Sequence, residues 1–120
     1  MIIRAPEGWK IVYQRLEGAP AEKYLDGEGI FELESFSGPT AHIWLEIRRD
    51  CYGIKRFEVE RIYNGLRERM GFKLNSEGEA ILKCMEVANR YGNTPIGLIP
   101  NARQLPVDRM KTTPHARLSV

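Results

Sequence analysis

The chain has 120 residues and a formal charge of +2, with 42% hydrophobic and 28% charged residues. These values are ordinary for one globular domain and argue against disorder or a fibrous repeat. The longest apolar runs have four or five residues, far below the roughly 20 that cross a bilayer. Two cysteines are too few for a disulfide scaffold. We therefore expect a cytoplasmic protein with no membrane span.

Charge is distributed unevenly along the chain. Residues 17–47 hold seven acids and one base, whereas residues 48–73 hold eight bases and four acids. The last twenty residues hold four bases and one acid. Separate basic segments of this kind are one feature of proteins that contact acidic or phosphate-bearing partners.

The first half of the chain predicts β-strands. Aromatic and β-branched residues predict a strand over 9–17, followed by a loop over 18–29 with room for a brief helix. Apolar and polar residues alternate over 29–37 and again over 43–47, and the Ser-Gly-Pro-Thr turn at 37–40 joins the two runs. This pattern predicts an antiparallel hairpin with one wet face.

The second half of the chain predicts helices. Apolar residues recur at helical spacing over 55–70, which predicts a first helix. The Ser-Glu-Gly-Glu sequence at 76–79 matches a capping box and predicts the start of a second helix, which Gly92 ends. The turn and apolar stretch over 93–100 predict a last, short edge strand.

Together these elements predict an α+β domain over residues 1–100. Its antiparallel sheet has three to four strands, and the two helices of the C-terminal half pack on one face. Residues 101–120 are expected to form an extended, basic, Pro-containing arm. Such a sheet leaves one face and at least one edge to be covered, and we expect a second copy of the chain to do so in a homodimer.

The wet face of the predicted hairpin carries the richest group of polar residues in the sequence. Glu32 and four candidate binding residues lie there. These candidates are Trp44, His42, Glu34 and Glu46. At about 3.3 Å per residue His42 and Glu46 lie too far apart to bond within one strand, so His42 could pair only with an acid across the hairpin. An exposed Trp44 would be typical of a protein-binding hot spot, whereas a covered Trp44 would be part of a core.

No motif in the sequence commits the chain to a reaction, a metal or a cofactor. The residues His42, His115, Cys51 and Cys84 lack the spacing of metal ligands, so we predict no metal site and no cofactor. The stretch 92–97 has two glycines but lacks the Lys-Ser/Thr of a phosphate-binding loop. Basic neighbours make Cys51 the one candidate for a reactive thiol, although a strand-end cysteine without chemistry is the simpler interpretation.

Three hypotheses for function follow. The first is a non-enzymatic protein-binding or adaptor domain, acting as a homodimer and using the surface around Trp44. The second is a small enzyme or small-molecule pocket that uses His42, Glu34 and Glu46, and it requires a concave cover over the hairpin. The third is a nucleic-acid accessory factor that uses the basic arm. It is disfavoured because interleaved charges make both predicted helices poor recognition helices.

Overall fold

A computed structural model describes residues 3–16, 19–20, 22–24 and 27–105, in which seven strands form one antiparallel sheet and one helix packs on it. The elements are β1 (Trp9–Gln14), β2 (Glu22–Tyr24), β3 (Gly27–Ser35), β4 (Thr40–Arg49), β5 (Lys55–Tyr63), β6 (Leu66–Met70), α1 (Glu77–Tyr91) and β7 (Ala102–Leu105). The strand order is β1-β3-β4-β5-β6-β7, and β2 also pairs with β3.

The predicted sheet of three to four strands with two helices is therefore wrong, although the α+β class is broadly compatible with the observed fold. The predicted first helix over 55–70 is instead the β5–β6 hairpin. Its turn is Asn64-Gly65, and both residues have positive φ, 46° and 81°. Asn-Gly favours this tight hairpin turn, because both residues tolerate the left-handed region. Charged side chains are buried on both faces of these strands, so the sequence does not show the alternation of apolar and polar residues that marks a strand.

Two further corrections concern the ends of the sheet. The loop over 18–29 contains β2 and the start of β3 rather than a brief helix. The last strand is β7 at 102–105, paired with β6, rather than the apolar stretch before Pro100. The predicted extended arm is thus wrong for 102–105, and residues 106–120 lie outside the described residues.

The predicted β3–β4 hairpin is confirmed, but its predicted wet face is wrong, because Glu32, Trp44 and Glu46 on that face are fully buried. Glu32 lies opposite Trp44, Leu33 opposite Ile43, and Glu34 opposite His42. Because successive side chains alternate between faces, Leu33 and Ile43 point to one side and the polar residues to the other. The apolar side packs into the main core.

The predicted second helix is confirmed as α1. The Ser76 hydroxyl accepts a hydrogen bond from the Glu79 backbone N–H at 3.2 Å, which satisfies one of the free donors of the first turn. One face of the helix is buried against the sheet and consists of Ala80, Ile81, Cys84, Val87 and Ala88. Burying each larger apolar side chain contributes about 1.5–3 kcal/mol, so an acidic substitution at Val87 would disrupt this interface.

The loop after α1 is anchored by a buried ion pair between Arg61 and Glu68. Arg61 Nε donates to Glu68 Oε1 at 2.8 Å, and both side chains have no exposed surface. The Arg61 guanidinium also donates to the Tyr91 carbonyl at 2.8 Å, while Glu68 Oε2 accepts from the Gly97 N–H at 2.8 Å. This pair therefore ties β5 and β6 to the end of the helix and to the loop that leads to β7.

The helix α1 has 15 residues. Within the described part of the chain, no helix has the length and apolar character that crossing a membrane requires.

Candidate functional site

The strand pairing places the side chains of the sheet face opposite α1 in rows that cross the sheet. One row runs through Tyr13, Glu32, Trp44, Glu60, Arg69 and Arg103. The next row runs through Lys10, Glu34, His42, Ile62, Arg67 and Leu105. We call this side of the sheet the charged face, because most of its positions carry acids or bases.

The four predicted binding residues do share the charged face, but they pair with neighbours. Trp44 Nε1 donates to Glu46 Oε1 at 2.6 Å, and both residues have no exposed surface. His42 Nδ1 lies 3.2 Å from Glu32 Oε2, so a cross-strand His–Glu contact does form. Trp44 packs in a small apolar cluster with tyrosines rather than standing at the surface. Whether any of these residues binds a ligand stays a prediction.

Glu46 is the most perturbed acid of the charged face. Burial, together with the nearby charge of Glu60, raises the pKa of Glu46 from 4.5 to about 8. The hydrogen bond from Trp44 and the charges of Arg48 and Arg69 act in the opposite direction. Since the cost of burying charge dominates, Glu46 is mostly protonated at neutral pH.

Two glycines of β3 make room for this packing. A Cβ atom on Gly27 would collide with the Glu46 carboxylate, and one on Gly29 would collide with the Tyr24 ring. Side chains at these two positions would push against the Glu46 carboxylate and the Tyr24 ring. The Gly-Glu-Gly sequence at the start of β3 is thus a packing requirement.

A second acid, Glu60, is matched by two arginines. Glu60 Oε1 accepts from Arg67 Nε at 2.7 Å, and Glu60 Oε2 accepts from Arg69 Nε and Nη2 at 3.1 and 3.0 Å. Arg67 and Glu60 are fully buried. One carboxylate thus serves two guanidinium groups, which leaves positive charge in excess at this part of the sheet.

Like charges face each other across neighbouring strands at one end of the sheet. The pairs are Arg48 with Arg56, Arg49 with Lys55, and Arg69 with Arg103. Like charges directly opposite each other destabilise a sheet. We call these six residues the basic end. Arg48 and Arg69 have Glu46 and Glu60 as acidic neighbours, so the charge that a negatively charged ligand would offset lies mainly on the other residues.

Three arginines of the basic end line one cavity of about 230 Å³, which we call the arginine pocket. Its wall contains Arg56, Arg69, Arg103, Glu58, Gly71 and Asn101. Glu58 is the one acid among the described residues of this wall, and its carboxylate lies 3.9 Å from Arg56 Nη2. Among the described residues, no carboxylate lies within ion-pair distance of Arg103. The described wall thus holds three arginines and one acid, and Glu60 beside it offsets part of the charge of Arg69.

Gly71 shapes the floor of the arginine pocket. Its N–H donates to the Asn101 carbonyl at 2.9 Å, and a Cβ atom on Gly71 would lie 2.7 Å from that oxygen. Asn101 has a φ of 63°, in the left-handed region that asparagine tolerates. This tight contact leads directly into β7 and brings Arg103 beside Arg69.

A second cavity of about 420 Å³ adjoins the arginine pocket, and we call it the aromatic groove. The two cavities share Arg56, Glu58 and Gly71, while the groove alone contains Lys55, Phe57, Phe72, Lys73, Leu74 and Asn75. Both phenylalanines are half-buried. The groove thus joins an apolar surface to a positively charged one.

Within the described part of the chain, the cysteines and His42 form no metal site, and His115 lies outside it. Both cysteines are free, Cys51 being exposed and Cys84 buried, and burial raises the pKa of the Cys84 thiol. Among residues 3–16, 19–20, 22–24 and 27–105, no group of three or more His, Cys, Asp or Glu is arranged to hold a metal ion.

Sequence reasoning missed the arginine pocket because it assigned Arg56 and Arg69 to one helix. The Asn-Gly dipeptide at 64–65 was the available signal, since a hairpin turn there brings β5 and β6 together. Arg103 had no comparable signal. It reaches the pocket only because β7 pairs with β6, more than thirty residues later in the chain.

No family model matches the chain, and neither a curated protein nor a solved structure is similar enough to identify it. What this protein does must therefore be inferred from the arrangement of its own residues.

Proposed function

We propose that this protein binds a phosphate-bearing ligand in the arginine pocket and acts as a binding protein rather than an enzyme. The observation that carries the proposal is the meeting of Arg56, Arg69 and Arg103 around one open cavity with a single acid. The planar guanidinium group matches phosphate oxygens with two parallel hydrogen bonds, which makes arginine the preferred residue for such ligands.

The three arginines differ in how firmly the fold holds their side chains. Arg69 is held by two hydrogen bonds to Glu60, so its side chain is already positioned before a ligand arrives. Arg56 is 65% exposed and Arg103 is also exposed, so both can move toward an anion. One held arginine with two exposed ones is suited to a small anion that enters from solvent.

Calorimetric titration with inorganic pyrophosphate tests the proposal. We expect binding that weakens as salt is raised, because the interaction is between opposite charges. Arg103→Gln should weaken binding about tenfold or more, the effect of losing a charge-assisted hydrogen bond. Arg90→Gln removes the same charge from the exposed side of α1 and is the matched control.

Equal affinities for wild type, Arg103→Gln and Arg90→Gln would reject the arginine pocket as the binding site. Absence of pyrophosphate binding at low salt would reject the proposed function itself. Thermal unfolding of each variant, run beside the titration, separates loss of binding from loss of folding.

The earlier hypotheses receive less support from the same geometry. A protein-binding surface around Trp44 is disfavoured, because that side chain is buried and bonded to Glu46. A small-molecule pocket built from His42, Glu34 and Glu46 is disfavoured for a similar reason. Glu46 is fully buried, and Glu34 already pairs with Lys10 at 3.2 Å.

A homodimer remains a second proposal. It is favoured by Tyr52 and Ile54, which are 85% and 59% exposed at the tip of the β4–β5 hairpin. A second copy could cover these apolar side chains. Light scattering should give the mass of a dimer for wild type and of a monomer for Tyr52→Ser/Ile54→Ser. A monomeric wild type would reject this proposal and leave the arginine pocket unaffected.

We further propose a cytoplasmic location. Two free cysteines, one of them exposed, are compatible with a reducing compartment. Fractionation of cells that express a tagged chain tests the location, and recovery in the membrane or secreted fraction would reject it.

A further inference from the structure

The β4–β5 hairpin displays a tyrosine outside the core. We call residues 48–56 the hairpin tip. Within it, Tyr52 is 85% exposed and Ile54 is 59% exposed. Large aromatic side chains normally contribute to a fold by burial. Because so little of the Tyr52 side chain is covered, both faces of its ring are accessible to a partner.

Four hydrogen bonds hold the hairpin tip in one conformation. Asp50 Oδ1 accepts from the backbone N–H groups of Tyr52 and Ile54, each at 2.9 Å. The Asp50 N–H donates to the Ile54 carbonyl at 3.1 Å, and the Gly53 N–H donates to the Asp50 carbonyl at 2.9 Å. Gly53 has a φ of 79°, which glycine adopts without strain. An ordered turn therefore holds Tyr52 in its outward position.

Bases flank Tyr52 on both faces of the sheet. Arg49 pairs with Lys55, and Arg48 pairs with Arg56. Because successive side chains alternate, the two pairs point to opposite faces. Arg49 and Lys55 each lie three residues from Tyr52 in the chain, so their Cα atoms are within about 11 Å of it. A chain of phosphates that leaves the ring toward either face meets a pair of bases.

The hairpin tip has more positive than negative charge. It contains four bases and one acid, Asp50, whose Oδ1 is already bonded to two backbone N–H groups. Arg56 lies 3.9 Å from Glu58. Among the described residues, no carboxylate lies within ion-pair distance of Arg49 or Lys55. These two exposed side chains are therefore available to an anionic partner.

From this arrangement we infer that the hairpin tip binds a single-stranded nucleic acid, with one base stacked on Tyr52 and its phosphates on the flanking bases. A single strand combines flat rings with a negative charge on each nucleotide, which matches an exposed aromatic ring between arginine and lysine. A duplex fits less well, because its bases stay stacked on each other and leave none for Tyr52.

The proposed homodimer would cover the same side chains, so a second copy and a strand exclude each other at the tip. A second copy would bring another set of the same bases beside the first, and like charges repel. A polyanion offsets them instead. Charge complementarity thus favours the strand.

The inference goes beyond the proposed function. Arg56 is the one residue that the hairpin tip shares with the arginine pocket, so the strand can place a phosphate there but does not depend on the pocket. Nucleic acid was disfavoured on the expectation that residues 55–70 form a poor recognition helix. In the structure these residues form β5 and β6 instead.

Fluorescence anisotropy with a fluorescein-labelled oligodeoxythymidylate of about 12 nucleotides tests the inference on the full chain. We expect binding that weakens as salt is raised. Tyr52→Ala should weaken binding about tenfold, the effect of losing one stacked base, and Tyr52→Phe should keep it within about twofold of wild type. Phe36→Ala removes an aromatic ring that is 68% exposed, in the turn at the other end of β4, and is the matched control.

A second variant tests the phosphate contacts by a different measurement. Arg49→Gln should reduce the slope of the logarithm of affinity against the logarithm of salt concentration by about 0.7, the value for one phosphate contact with a single strand. Arg90→Gln removes the same charge from the exposed side of α1 and should leave the slope unchanged.

The outcomes separate this inference from the proposed function. Equal oligonucleotide affinities for wild type, Tyr52→Ala and Phe36→Ala would overturn it, and so would a lack of oligonucleotide binding at low salt. It is also overturned if light scattering shows a dimer that persists with saturating oligonucleotide and is lost in Tyr52→Ala, because a second copy then occupies the tip. In each case pyrophosphate binding by the arginine pocket is unaffected.

Discussion

Two groups of arginines in this sheet differ in what faces them. Arg61 and Arg67 are fully buried, and each meets a buried glutamate from the neighbouring strand. Arg56 and Arg103, by contrast, are exposed and face another arginine across the sheet. The first group satisfies charges inside the fold, whereas the second leaves charge available to a ligand.

Arg69 belongs to both groups and shows how they are connected. Its guanidinium bonds to Glu60 in the buried network, yet it also lines the arginine pocket. A buried ion pair adds little stability compared with an apolar pair, but losing one of its members is costly. Mutation of a buried arginine should therefore lower the stability of the fold, and mutation of an exposed arginine should weaken ligand binding.

The largest effect is expected for Arg61→Met. This change leaves Glu68 buried without its cation and removes the donor to the Tyr91 carbonyl. We expect the free energy of unfolding to fall by about 3–5 kcal/mol, measured by urea denaturation. The double variant Arg61→Met/Glu68→Met should recover part of the loss. If Arg61→Met lowers the free energy of unfolding by less than about 1 kcal/mol, the distinction between buried and exposed arginines is wrong.

The next effect is a pH dependence carried by Glu46, which interacts with Arg48 and Arg69 of the basic end. Because the pKa of Glu46 is raised from 4.5 to about 8, the folded protein keeps a proton there that the unfolded chain releases. This contribution to the free energy of unfolding is complete at low pH and is lost as pH rises through that interval. Its size is up to several kcal/mol, at about 1.4 kcal/mol for each unit by which the pKa is raised.

Glu46→Gln provides the measurement, because glutamine cannot titrate and still offers an oxygen to Trp44. The difference in unfolding free energy between Glu46→Gln and wild type should shift in favour of the variant between about pH 5 and about pH 9. A difference that stays constant with pH would show that the positive charge of the basic end keeps Glu46 ionised throughout.

A small effect of opposite sign is expected for Arg103→Gln. Removing a positive charge that faces Arg69 across β6 and β7 should raise the free energy of unfolding by less than about 1 kcal/mol. The same variant should lose pyrophosphate binding. Chemical denaturation and calorimetry on one preparation check both expectations, and a marked destabilisation would mean that Arg103 has a structural role after all.

The smallest effect is expected for Glu86→Ala on α1, which breaks one ion pair and leaves Lys83 beside the Phe72 ring. Lys83 Nζ pairs with Glu86 at 2.9 Å on the exposed side of the helix. Exposed pairs of this kind contribute little, so the free energy of unfolding should change by no more than about 0.5 kcal/mol. This variant measures the contribution of an exposed ion pair, with which that of the buried pair is compared. A loss of unfolding free energy as large as that of Arg61→Met would contradict the comparison.

The sequence was sufficient where a local pattern had one interpretation. The β3–β4 hairpin followed from clean alternation on both sides of a Gly-Pro turn, and α1 followed from the capping box at Ser76. The hairpin register also placed His42, Trp44 and the glutamates on one face, because side chains alternate in any strand. These features depend on residues close together in the chain.

The tertiary structure alone decided which charges are buried and which converge. The pairing of Arg61 with Glu68 puts polar residues inside the core, so β5 and β6 lose the alternation that marks a strand. Arg103 joins Arg56 and Arg69 only through the long-range pairing of β7 with β6. Charge compensation depends on distances in space rather than along the chain, and that is why the arginine pocket could not be found from sequence spacing.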